Sequence, residues 1–83
     1  MTEQELKETI CRLFLDNDLG FPLSAETKLL DEGICDSLGL VQLVAEIESR
    51  HPDIRIQDQE ITRDNFGTIS AILRLIEDKR RAK

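Results

Sequence analysis

Asp36-Ser37-Leu38-Gly39-Leu40-Val41-Gln42-Leu43-Val44-Ala45-Glu46-Ile47 is the stretch that decides the fold. Leu40, Leu43, Val44 and Ile47 recur at i, i+3, i+4 and i+7, the spacing of one helix face. The pattern predicts a helix from about Ser37 to Ser49, with Asp36 as its N-cap and the four aliphatic residues in the core. Leu38, Val41 and Ala45 form a second stripe at i, i+3 and i+7, offset from the first. A helix in so small a domain seldom needs both. The second stripe begins beside Ser37, with Glu46 and Glu48 further along, and reads as an exposed partner surface. The competing reading packs Leu38 and Val41 beneath the preceding loop. Ser37 itself falls where loop becomes helix, at the positive end of the helix dipole and beside unpaired N–H groups. Such a place suits an anion, phosphate included, and a hydroxyl there suits a phosphodiester bond. No His, Lys or second acid is arranged nearby to make the serine a nucleophile acting alone.

Upstream, Leu6, Ile10, Leu13 and Phe14 make another helical face. Thr2-Glu3-Gln4-Glu5 reads as a capping box that starts this first helix, which should stop near Asp16-Asn17, before Gly20 and Pro22. A long loop then runs from about Asn17 to Cys35. Phe21, Leu23, Leu29, Leu30 and Ile34 can anchor it, with a short helical turn near Ser24-Ala25-Glu26 and a tight turn at Gly33. Downstream, Pro52 ends the second helix at His51, the only histidine, which reads as a helix-end cation. Ile54 and Ile56 alternate with Arg55 in an extended run that has no second run to pair with. Thr62 to Phe66 reads as a short third helix, capped by Thr62, with Ile61 and Phe66 inward. Ile69, Ile72, Leu73 and Ile76 set the core face of a fourth helix from about Thr68. Lys79, Arg80, Arg81 and Lys83 read as a solvated basic end that complements the helix dipole. The expected fold class is all-α: a small four-helix bundle, three longer helices plus a short third, with a long loop between the first two.

The 83 residues allow one domain, 1–83, with a small core built from aliphatic side chains, since there are three Phe and no Tyr or Trp. No run is long enough for a membrane span and no secretory signal opens the chain, so a cytoplasmic protein is expected. Charge is uneven. Residues 1–49 carry eleven acids and three bases, a net −8, and residues 50–83 carry six acids and eight bases, a net +2. That balance speaks against nucleic acid, whose phosphates need Lys and Arg, and suits basic protein surfaces. Cys11 and Cys35 have no metal or redox spacing and read as packing residues. No acid pair, Ser-His-Asp set or glycine-rich phosphate loop supports catalysis.

Asp36-Ser37-Leu38, with Leu29-Leu30-Asp31 before it and Val41-Gln42-Leu43-Val44 after it, resembles the attachment site of the acyl carrier and peptidyl carrier family. The stretch Asp36 to Leu43 is especially similar to free-standing aminoacyl and D-alanyl carrier proteins, and the helix pattern extends the resemblance over nearly the whole chain. The resemblance implies 4′-phosphopantetheine, taken from coenzyme A, on the Ser37 hydroxyl, and acyl or aminoacyl groups held on its thiol as thioesters. It implies a role for Asp36 in recognition by a phosphopantetheinyl transferase, besides capping the helix. It implies partner contacts by Leu38, Val41, Ala45, Glu46 and Glu48. The partners implied are the transferase, an adenylating ligase or acyltransferase, and downstream acyl-processing enzymes. The carrier would be a monomer, not an enzyme, serving fatty acid, polyketide, nonribosomal peptide or related biosynthesis. Gly39 and Gln42 stand where many fatty-acid carriers have acids, which leans toward aminoacyl or specialised-metabolite pathways. Gly39 costs about 1 kcal/mol against alanine within a helix. It either leaves space beside Ser37 for the transferase or prosthetic group, or has drifted at an exposed, tolerant position. The alternative function is a helical interaction module with no prosthetic group. A carrier domain cut from a larger synthase fits less well with the initial Met, the capped first helix and the charged end.

Overall fold

The computed structural model describes residues 1–16, 18, 20 and 22–81. Asn17, Phe21 and Lys83, which figure in the sequence reading, lie outside the described residues. Four α-helices follow in order: α1 Glu3–Phe14, α2 Ser37–Arg50, α3 Arg63–Phe66 and α4 Ile69–Arg81. A 3-10 turn, Asp58–Glu60, between α2 and α3 carries no apolar signature and was not expected. No strand occurs among the described residues, and the chain is an all-α, small helical bundle.

The helices are where side-chain periodicity places them. α1 packs on α2 and α4, and α3 packs on α4. Leu6 and Ile10 from α1, Leu40, Leu43, Val44 and Ile47 from α2, Phe66 from α3, and Ile69, Ile72 and Ile76 from α4 meet in one aliphatic core. Leu13, Phe14 and Leu73 pack at its edge, half-buried. Thr9 is buried as well, its hydroxyl donating to the Glu5 carbonyl at 2.9 Å. Ile54 and Ile56 bury both apolar side chains of the extended run. Instead of a strand partner, the Ile56 N–H finds a Glu48 carboxylate oxygen at 2.8 Å.

Local chemistry also sets the helix ends. The Thr2 hydroxyl accepts the Glu5 N–H at 3.1 Å, and the Thr62 hydroxyl accepts the Asn65 N–H at 3.2 Å. The reciprocal half of the box expected at α1 is replaced, because the Glu5 carboxylate turns to His51 Nε2 at 3.2 Å. His51 is the C-cap of α2, and both of its ring nitrogens are engaged. Arg80 can only donate, so His51 Nδ1 accepts from it at 2.8 Å, leaving Nε2 to donate to Glu5. The basic end of α4 is similarly engaged: Lys79 pairs with Glu60 at 2.6 Å, Arg80 with Asp53 at 3.6 Å, and Arg81 with Glu77.

The long connection between α1 and α2 is ordered by hydrogen bonds to the far end of the chain. The Leu29 N–H donates to the Gly67 carbonyl at 2.8 Å, and the Ser70 N–H donates to the Ala25 carbonyl at 2.9 Å. Leu29 and Ile34 are buried, while Leu23 and Leu30 are half-buried. Ser24 to Thr27 makes a single turn closed by a 3.2 Å bond, not a helix. No helix among the described residues is long and apolar enough to cross a membrane.

Candidate functional site

Gly33 turns the chain toward α2. Its φ of 72° lies in the left-handed region, where a side chain would be strained. The N–H groups of Ile34 and Cys35 then both donate to the Leu29 carbonyl, at 2.9 and 3.2 Å, and close the turn. The next residue, Asp36, caps α2, its carboxylate accepting the Gly39 N–H at 2.7 Å. That charge-assisted bond fixes the first turn and so fixes Ser37, the first residue of the helix. Ser37 is exposed, and no hydrogen bond among the described residues engages its hydroxyl. The first turn of α2 thus presents an exposed alcohol on a rigid base.

The two stripes of α2 separate completely. Leu40, Leu43, Val44 and Ile47 are buried, whereas Leu38 is 70% exposed and Val41 54% exposed. Ala45 is exposed too. Leu38 and Val41 therefore do not pack beneath the loop; they form an apolar strip facing solvent beside Ser37. Glu46 and Glu48 are both engaged within the chain. Glu46 takes guanidinium N–H groups from Arg12 of α1 and from Arg50, the latter at 3.1 Å. Hydrogen bonds from Arg12 and Arg50 hold its carboxyl below the ordinary value. Glu48 is spent on the Ile56 N–H.

Gly39 is buried, so it is not a tolerant surface position. A methyl placed on it would lie 2.9 Å from the Phe14 ring, 3.2 Å from the Cys35 Cβ and 3.3 Å from the Asp36 carboxylate. The space that glycine leaves is filled by the end of α1 and by the loop, not reserved for a prosthetic group or a transferase. Cys35 is buried and reduced, and burial, with the Asp36 charge, pushes its thiol up. Cys11 is buried in the same way, its thiol raised by desolvation and by the charges of Asp18 and Glu8. Both behave as packing residues. No cluster able to hold a metal ion occurs among the described residues.

An open groove of about 510 Å³ lies at Ser37. It runs between the end of α1 and the loop before α2, and Arg63 of α3 reaches its lining. Sequence spacing could not reveal this groove, because Phe14, Ile34 and Arg63 meet only through the fold. An exposed, unpartnered hydroxyl with this free volume beside it fits a covalently attached chain.

No family model matches the sequence. Curated relatives do. The D-alanyl carrier protein of Streptococcus thermophilus (strain ATCC BAA-491 / LMD-9) is 36% identical over 78 residues, 94% of each chain. That of Streptococcus gordonii (strain Challis) is 35% identical over 78 residues, again 94% of each chain. That of Streptococcus pyogenes serotype M5 (strain Manfredo) is 32% identical over 80 residues, 96% of each chain.

Proposed function

From the premise that the chain belongs to the D-alanyl carrier protein family, we propose that residues 1–83 act as one carrier domain whose Ser37 bears 4′-phosphopantetheine. The observation that carries this reading is the exposed Ser37 hydroxyl, unbonded among the described residues, on the first turn of α2. When bound, the group supplies a thiol on a flexible arm, on which an acyl or aminoacyl group is held as a thioester. The relatives' name supports D-alanine as the cargo, loaded by an adenylating ligase.

The chain's own contribution is positional. Asp36 locks the first turn, so that the serine is presented in one orientation to a phosphopantetheinyl transferase. Leu38, Val41 and Ala45 offer that enzyme and later partners a small apolar strip, which is enough for weak and brief docking. Glu46 and Glu48 flank the strip and add negative charge, while their internal bonds fix where that charge sits. The acidic N-terminal part steers encounter with basic surfaces. The thiol's tether then holds the cargo near a docked enzyme at an effective concentration of order mM. The protein is a carrier on which partner enzymes act, and catalysis is theirs.

Incubation with coenzyme A and a broad-specificity transferase, read by intact-protein mass, tests the attachment. The wild type gains one phosphopantetheinyl group and Ser37→Ala gains none while remaining folded. A wild type that gains no mass leaves only the interaction module. Supplying the loaded chain with ATP, D-alanine and a D-alanine-activating ligase then tests the cargo, again by mass.

A further inference from the structure

We propose that the groove beside Ser37 is a seat for the proximal part of the attached arm, with Arg63 holding its phosphodiester. The inference rests on the attachment reading above. The groove's volume of about 510 Å³ falls within the range, about 300–1,000 Å³, of small-molecule sites. Ser37 lies in its lining, so any chain attached there starts at the groove.

The lining offers both kinds of group that the proximal arm needs, one cation and several apolar side chains. A phosphodiester carries one negative charge, and Asp36 beside it is a like charge. Among the described residues, Arg63 is the sole cation in the lining. Its guanidinium now pairs with Asp31, but both side chains are largely exposed, 66% and 52%, so the pair can rearrange at little cost. Five donors in a planar fork also let one guanidinium serve Asp31 and a phosphate together. A single methylene follows the phosphodiester, and the carbon after it bears two methyl groups. Leu13 and Phe14 from α1, with Leu30 and Ile34 from the loop, supply the apolar wall for it. The distal amides and the thiol extend beyond, so a seated arm keeps its reactive end free.

The test uses the loaded, unacylated protein, isotope-labelled in the protein only, with loading verified by mass. Isotope-filtered NOE spectra are expected to connect the arm's geminal methyls to Phe14, Leu30 and Ile34. Amide signals of Gly33 and Ile34 are expected to shift between the unloaded and loaded forms. Arg63→Ala should weaken the NOEs several-fold. Asp31→Asn, which removes the competitor for the guanidinium, should strengthen them, and it guards against the chance that Arg63→Ala disturbs α3. Mass-verified loading without these NOEs overturns the seat. So do NOEs undiminished in Arg63→Ala or weakened in Asp31→Asn. Absence of loading, by contrast, sinks the attachment reading itself.

Discussion

The two apolar stripes of α2 have similar composition and opposite surroundings. Leu40, Leu43, Val44 and Ile47 are sealed in the core that α1, α3 and α4 share, while Leu38, Val41 and Ala45 face solvent. Burial of an aliphatic side chain is worth roughly 1.5–3 kcal/mol, so the first stripe accounts for the helix being held in place. The second gains nothing from folding. Leu38 and Val41 stay in water one and four residues after Ser37, which is where the proposed docking needs an apolar strip.

The contrast is broken most directly on the buried side. Ile47→Ala should lower unfolding free energy by about 2–5 kcal/mol, the usual cost of deleting a fully buried branched side chain. Urea denaturation measures it; a loss well under 1 kcal/mol would mean that the stripe is not core. The exposed side predicts the reverse. Leu38→Asp should change stability by no more than about 0.5 kcal/mol. It should slow transfer of the arm by about tenfold, the size expected when one docking side chain worth more than 1 kcal/mol is lost. Equal transfer rates for the variant and the wild type would leave the strip without a role.

What the sequence made legible was what is local. Helix periodicity located α1, α2 and α4, the Thr62 cap pointed to α3, and the caps at Thr2, Asp36 and Thr62 depend on residues three positions apart. Ser37 was legible for the same reason, since a loop-to-helix junction is a local event. What failed was whatever depends on distant pairing. Glu46 reaches Arg12, His51 lies between Glu5 and Arg80, and Leu29 bonds Gly67, over separations of 29 residues or more. The groove at Ser37 is of this kind as well. The choice between the stripes of α2 came out as read, with Leu40, Leu43, Val44 and Ile47 buried and Leu38 and Val41 exposed, although period alone shows that two faces are apolar and not which one a neighbour covers.

Gly39 sharpens the comparison at the boundary between the two faces. Alanine there gains up to about 1 kcal/mol of helix propensity. Its methyl must displace the Phe14 ring from 2.9 Å, and overpacking of this kind costs about 1–3 kcal/mol. Gly39→Ala should therefore destabilise by about 1 kcal/mol. A stabilised variant would show that the ring, half-exposed at the end of α1, yields freely and that packing does not require the glycine.

The smallest effect belongs to the charged edge of α2, and it depends on pH. Hydrogen bonds from Arg12 and Arg50 hold the Glu46 carboxyl below its ordinary value of 4.5. The bond from Lys79 does the same for Glu60, helped by the Gln57 N–H. For Glu5, burial opposes the shift, but the His51 hydrogen bond and nearby positive charge outweigh it. A carboxyl lowered in the folded state stabilises fully above its unfolded value and loses that contribution as pH falls through the folded one. Glu46→Gln should thus cost at most about 1 kcal/mol at pH 7, since its partners are partly exposed. The difference from the wild type should shrink toward zero as the pH is taken well below 4.5, whereas the loss in Ile47→Ala should persist, because a hydrocarbon deletion does not titrate. A Glu46→Gln penalty that is unchanged in acid would mean that Glu46 acts through packing. No penalty at pH 7, joined to slower arm transfer, would assign its charge to the docking face instead of to the bridge with α1.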